Sequence, residues 1–109
     1  MKIEGVPFGV TAWASVPETT HPGASGVARW RTVQAGNVRV RLVSYSPGYV
    51  ADHWCSRGHI LFVLEGTLLT EIQGGVTHTL TAGMSYQVSD DVDPHRSSTK
   101  TGARLFIVD

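Results

Sequence analysis

Three residues with metal-binding side chains lie within seven positions of one another: His53, Cys55 and His59. On a strand, His53 and Cys55 would leave the same face, because successive side chains alternate. The segment 56–58 is typical of a tight turn, so His59 would open an adjacent strand, about 5 Å away. His95 could supply a fourth ligand from a third strand. Imidazole nitrogens and a thiolate sulfur favour zinc, copper, iron or nickel over manganese.

The elements that must position these side chains are predicted to be short strands. Twelve glycines and five prolines divide the chain into segments rich in Val, Thr, Leu and Tyr, in which side-chain polarity alternates with a period of two. No segment repeats apolar residues at helical spacing. The alternation predicts an all-β sandwich or barrel. The predicted strands cover 37–46, 59–65, 67–73, 76–80, 84–88 and 104–108, with Gly74-Gly75 as a hairpin turn.

The first 26 residues lack this alternation and hold three of the five prolines, which central strands do not accommodate. We therefore predict a single domain over 1–109. It would consist of an N-terminal arm over about 1–26, anchored by Phe8 and Trp13, and a barrel over 27–109.

The composition restricts the partners and the location of the protein. Nine Lys and Arg balance nine Asp and Glu, so we expect no surface for nucleic acid. The longest apolar run, 60–64, is far shorter than the ~20 residues of a membrane span. A single cysteine and the absence of an export pattern at the start predict a cytoplasmic protein.

The metal-binding residues also resemble the motifs of the cupins. The first cupin motif has the form G-x5-H-x-H-x3-E-x6-G, and its spacing matches His53, Cys55, His59 and Gly66. The second cupin motif resembles the segment that begins at Gly83 and reaches His95. The resemblance covers about 37–109 and implies a cupin jelly-roll barrel, also called a double-stranded β-helix.

A narrower resemblance involves Ala51-Asp52-His53-Trp54-Cys55 and the ending 102–109. Both segments are similar to a small subgroup of single-domain cupins called DHCW-motif proteins, although the order here is Asp-His-Trp-Cys. The subgroup implies a fold and a site but no substrate.

The resemblance implies one divalent transition metal ion per chain. Cupins usually bind metal through three histidines and a glutamate; here Cys55 replaces the second histidine and His59 the glutamate. The implied ligands are His53, Cys55, His59 and His95. Zinc is the first choice because imidazole and cysteine ligands are ordinary for it, with iron or nickel as the others.

Several functions stay open at this stage. The first is a metal-binding cupin that binds or acts on a small molecule. The second is an Fe(II) dioxygenase of the thiol-oxidising type, with His53, His59 and His95 as ligands and Cys55 as a spectator. The third is a non-enzymatic module that binds or senses a metal or ligand, and the fourth is a metal-free isomerase-like or sugar-binding cupin. The sequence does not decide whether the protein is an enzyme.

The alternation around His59 predicts what lines the barrel and what does not. With His59 inward, Leu61 and Val63 line the interior, while 60, 62 and 64 form an outward apolar strip. Such a strip needs cover from another sheet, the arm or a second subunit. It is typical of an interface, and the cupin resemblance implies a homodimer. Candidate pocket residues are Arg41, Tyr45, Tyr49, Tyr86 and Gln87. We expect Asp52 and Trp54 to face away from His53.

Overall fold

The computed structural model describes residues 2–109 and places eight antiparallel strands and one 3-10 turn there, without an α-helix among these residues. No helix among residues 2–109 has the length and apolar character needed to cross a membrane. The prediction of an all-β chain is confirmed. The turn spans Trp13–Ser15, and the strands are β1 (Glu18–Pro22), β2 (Val27–Ala35), β3 (Val38–Tyr45), β4 (His59–Ile72), β5 (Thr77–Thr81), β6 (Ser85–Val88), β7 (His95–Ser98) and β8 (Ala103–Val108).

Strand β4 organises the barrel because its two halves pair with different strands. The first half pairs with β8 and β6, and the second half pairs with β5 and β7. A bulge between Val63 and Glu65 separates the halves, and Gly66 follows it with φ +79°. A Cβ at Gly66 would lie 2.1 Å from the Gly102 carbonyl oxygen, so only glycine fits this close approach. The strand order is β1-β2-β3-β8-β4-β5.

The sequence predicted two strands where the structure has the single strand β4. Strand pairing continues on both sides of the bulge, while the buried positions change from 59, 61 and 63 to 68 and 70, so Gly66 bends the chain instead of ending the strand. Strand β1 lies inside the predicted arm and pairs with β2 at the edge of the sheet, where Pro22 is tolerated as its last residue. The expectation that Phe8 anchors the arm is wrong, since its side chain is 97% exposed. Trp13 does pack, edge-on against Phe106 at 6.1 Å between ring centroids.

The core lies between the inner faces of the strands. Its buried side chains include Val43 of β3, Leu61 and Val63 of β4, and Leu105 of β8. Ile60, Phe62 and Leu64 of β4 are exposed on the other face, as the alternation predicted. His59 lies on the inner face of the same strand, two residues before Leu61. The packing of the core therefore also fixes the direction of a candidate ligand.

Candidate metal centre

Three candidate ligands meet inside the barrel. The thiol sulfur of Cys55 and ring nitrogens of His59 and His95 all lie within 4.8 Å of one another. The two imidazole Nε2 atoms are 3.0 Å apart. His59 is the first residue of β4 and His95 the first of β7, and both are buried. Two strands of the barrel thus hold two of the three ligands, each at its first residue.

Cys55 reaches this group through the backbone. It forms an isolated β-bridge with His95, in which Cys55 N donates to His95 O at 2.7 Å and His95 N donates to Cys55 O at 3.0 Å. The sequence suggested that the Cys55 segment pairs with the strand of His59. It pairs instead with His95, and this bridge brings the thiol beside the imidazole ring.

The hydrogen bonds around the two histidines fit a metal ion. The Nδ1 atom of His95 lies 2.8 Å from the Asp93 carbonyl oxygen, so it is the protonated nitrogen, and Nε2 presents a lone pair. The buried Nδ1 of His59 has no hydrogen-bond partner among residues 2–109, but Asp109 Oδ2 lies 3.6 Å away. If Nε2 of His59 bound a metal ion, the ring proton would be on Nδ1, with the N–H directed at the Asp109 carboxylate. This arrangement is common around metal-ligating histidines.

The spacing of the donor atoms also fits. Two nitrogens bound to zinc at about 2.0–2.1 Å in tetrahedral geometry are separated by about 3.3 Å. The 3.0 Å between His59 Nε2 and His95 Nε2 needs only a small adjustment to reach this separation. A hydrogen bond with the His95 side chain lowers the pKa of the Cys55 thiol, against the opposing effect of burial. The same contact raises the pKa of His95. A thiol that ionises readily is the form of cysteine that binds metals.

His53 lies outside this group of three. Its ring is 75% exposed, and its Nδ1 is 2.6 Å from Asp52 Oδ1. The expectation that His53 and Cys55 leave one face of a strand is wrong, because the residues 51–58 form no strand and their one β-bridge is at Cys55. The expectation that Asp52 faces away from His53 is wrong for the same reason. Trp54 lies under the Arg96 guanidinium, 4.6 Å from its ring centroid.

Asp109 is a residue of the site that the sequence analysis missed. Its fully buried carboxylate accepts two hydrogen bonds from Arg39, at 2.8 and 3.0 Å, and one from Arg41 at 3.0 Å. Burial would raise the pKa of Asp109, but contacts with His59 and Arg39 and the charge of Arg41 hold it well below its usual range. The signal was present in the alternation, because Leu105 and Ile107 are buried and Asp109 is the next residue on that face.

The three ligands open onto a cavity of about 390 Å³. The predicted pocket residues Arg41, Tyr45, Tyr49 and Tyr86 all line it, and His53 lies along it. The Tyr86 hydroxyl is 2.9 Å from His59 Nε2, and burial raises the pKa of Tyr86. The predicted pocket residue Gln87 does not line this cavity. Its neighbour Tyr86 on β6 points inward, so Gln87 points outward, is exposed, and lines two adjoining surface clefts.

Comparison with known proteins shows the fold. Neither a family model nor a curated protein sequence matches the chain. Among solved structures, an ectoine synthase from P. lautus superposes with a TM-score of 0.75 at 16% identity, over 93% of this chain and 76% of the other. An RmlC-like cupin from Shewanella frigidimarina superposes with a TM-score of 0.68 at 21% identity, over 96% and 88%.

A protein of unknown function from Vibrio parahaemolyticus is also similar, with a TM-score of 0.67 at 18% identity, over 86% of this chain and 97% of the other. At these identities the similarity shows the fold alone. The chain therefore has the cupin fold, and the predicted all-β jelly-roll barrel is confirmed. Within that barrel lies a Cys/His cluster that could hold a metal ion.

Proposed function

We propose that this chain is a metal-binding cupin in which Cys55, His59 and His95 hold one divalent transition metal ion beside a cavity for a small molecule. The observation that carries the proposal is the approach of their three ligand atoms to within 4.8 Å of one another. One thiolate with two imidazoles favours zinc, and iron or nickel accept the same donors. When bound, such an ion supplies a Lewis acid that polarises an oxygen of the molecule beside it.

The surrounding residues would bind and orient that molecule. Three protein ligands leave one position of a four-coordinate ion open, which suits a site that binds a small molecule rather than a closed structural site. Tyr86 lines the cavity next to His59, and its raised pKa keeps the hydroxyl protonated and able to donate a hydrogen bond. Asp109 would orient the His59 ring through its Nδ1, on the side of the ring away from the metal-binding Nε2.

The thiol-type iron dioxygenase is a weaker proposal on this geometry. It requires His53 as the third histidine and Cys55 as a bystander. The His53 ring is mostly exposed and contacts Asp52, whereas the Cys55 thiol lies beside both other ligands. The two proposals therefore differ in one residue, and substitution can separate them.

Metal content tests the proposal directly. Protein purified without chelator is analysed for metals as wild type, as Cys55→Ser and as His95→Ala, with His53→Ala and the exposed His78→Ala as controls. We expect about one ion per chain in wild type and both controls, and loss of the ion in the other two variants. Retention in Cys55→Ser with loss in His53→Ala would favour the iron site. Wild type that takes up no metal on titration would refute both.

We also propose that the protein forms a homodimer through the outward face of β4. Ile60, Phe62 and Leu64 form an apolar strip on this face, and single strands seldom leave such a strip in water without a partner. The sole cysteine supports our proposal of a reducing, cytoplasmic environment.

A further inference from the structure

The cavity beside the proposed metal ion carries an excess of positive charge. Four of the seven arginines of the chain line it, and none of the described residues that line it is an Asp or Glu. Two carboxylates pair with these arginines: Asp109, behind the cavity, and Glu71, which accepts a hydrogen bond from Arg96 at 2.7 Å. The exposed Asp52 contacts His53 and is not a lining residue. Before any charge on Cys55 or on a bound metal ion is counted, two positive charges therefore remain in excess, in a chain whose formal net charge is zero.

Arg41 is the arginine whose surroundings point most clearly to a ligand. Its side chain is 7% exposed and its guanidinium lies over the Trp30 ring, 4.5 Å from the centroid. Asp109 engages only its Nη2, and the buried Nε has no hydrogen-bond partner among residues 2–109. A buried charged donor without a partner is costly. Arg41 therefore keeps hydrogen-bonding capacity that the described residues do not use.

The other arginines of the cavity differ in how firmly they are held. Arg39 makes a bidentate pair with Asp109, and Arg96 is tied to Glu71. Arg57 approaches Asp109 only to 3.6 Å and its side chain is 55% exposed, so it can turn toward a molecule in the cavity. Arg41 and Arg57 are thus the two cations with capacity for an additional anion.

The remaining walls suit the flat or apolar part of a small molecule. Tyr45 and Tyr49 stack on one another with ring centroids 4.2 Å apart, and both line the cavity with Trp30. Leu61 and Ile107 add apolar surface. A volume of about 390 Å³ lies within the range of small-molecule sites.

We propose that this cavity takes a small carboxylic acid as its anion, with the carboxylate held by Arg41 and Arg57 and the organic part against the aromatic wall. The planar guanidinium matches the two oxygens of a carboxylate. This inference deepens the proposed function, since the same cavity adjoins Cys55, His59 and His95. The arginines would nevertheless favour binding of an anion even in the metal-free protein.

Three probes of one shape and different charge test the inference: benzoate, benzamide and benzamidine. Binding is followed by tryptophan fluorescence, both for the protein as purified and after treatment with EDTA. We expect benzoate to bind at least tenfold more tightly than benzamide in both samples, and benzamidine not to bind. Equal affinities for benzoate and benzamide would overturn the inference. Tighter binding of inorganic phosphate than of benzoate would also overturn it, because the site would then select a compact anion.

Matched arginine variants locate the binding site. Variants of the buried Arg41 can fail to fold, so the test uses Arg57→Met, at a half-exposed residue of the cavity. Its control is Arg104→Met, because the Arg104 side chain lies outside the cavity and contacts the exposed Glu65. We expect Arg57→Met to weaken benzoate binding severalfold and Arg104→Met to leave it unchanged. An equal loss in both variants would overturn the inference.

The EDTA-treated sample separates this inference from the metal proposal. Benzoate selectivity that persists without metal, and that depends on Arg57, supports the carboxylate site even if the protein binds no metal at all. Benzoate binding that needs the metal and ignores Arg57 would assign the anion to the ion and overturn the role of the arginines, while the metal proposal would stand.

Discussion

Replacement of Asp109 by asparagine removes a buried negative charge from between two arginines. The Asp109 side chain is 0% exposed and accepts three charged hydrogen bonds, at 2.8, 3.0 and 3.0 Å. Loss of one partner from a buried ion pair costs about 3–5 kcal/mol. Because the Arg39 side chain is 24% exposed, water screens its interaction with Asp109, and we take the lower end of this range, about 3 kcal/mol, as the expected loss of stability. Asparagine restores only part of this, since its one amide oxygen still accepts but its NH2 group is a donor that faces guanidinium donors, and the negative charge is gone.

Urea unfolding monitored by tryptophan fluorescence measures this loss. With a slope of about 1.5 kcal/mol per molar urea, a loss of about 3 kcal/mol lowers the unfolding midpoint by about 2 M. The measurement is made in EDTA for both proteins, so that any effect of Asp109 on metal binding through His59 does not contribute. A loss of this size is a large part of the total stability expected for a small domain.

Glu65→Gln provides the matched control for Asp109→Asn. Glu65 forms an ion pair with Arg104 at 3.2 Å, but both side chains are exposed. Exposed pairs contribute less than about 1 kcal/mol, so the midpoint should hardly change. If Asp109→Asn unfolds at the same urea concentration as Glu65→Gln, the reasoning that Asp109 is a buried anchor is refuted.

The remaining predictions concern the core, the outer face and alkaline pH. In the monomeric Phe62→Glu background, Leu61→Ala should cost about 2–5 kcal/mol, because Leu61 is fully buried, whereas Leu64→Ala on the outer face should cost less than about 1; equal losses in urea would contradict the register of β4. Phe62→Glu should convert a dimer to a monomer in light scattering while the exposed Val76→Glu does not, and a monomeric wild type would rule out the dimer. Burial raises the pKa of Tyr49 to about 12 from its ordinary value of 10. Burial of the neutral Tyr49 hydroxyl therefore contributes to stability below about pH 10, and this contribution is lost as the pH rises toward 12. Urea unfolding of wild type and Tyr49→Phe at about pH 9 and about pH 11 measures it, and the variant should lose less stability between the two pH values. An unchanged pH dependence would contradict the raised pKa of Tyr49.

The inner face of the first half of β4 could be predicted because alternation determines it once His59 is taken to point inward. A two-residue period placed Leu61 and Val63 inside and Phe62 outside, and the structure confirms each. The same rule, applied from Ile107, would have found Asp109. Gln87 was included as a pocket candidate without a register for β6, and the inward direction of Tyr86 places Gln87 outside.

The segment before β4 could not be predicted in the same way. The sequence predicted a strand and a turn over residues 51–58, but these residues form a loop with one β-bridge to the sheet. The partner in that bridge is His95, forty residues later in the chain. Local spacing carries no information about such a distant contact. The sequence therefore suggested both His53 and Cys55 as ligands, whereas the structure brings only Cys55 of this segment beside the two buried histidines.

Titration of the metal-free protein with cobalt(II) tests the proposed metal site through its ligands, because the absorption spectrum depends on which atoms bind the ion. We expect a thiolate-to-cobalt charge-transfer band in the near ultraviolet that saturates at about one equivalent in wild type and in His53→Ala. The band should be absent in Cys55→Ser, and cobalt binding should be lost in His95→Ala. A wild-type spectrum without the band, or a band that persists in Cys55→Ser, would contradict a metal site built from Cys55, His59 and His95.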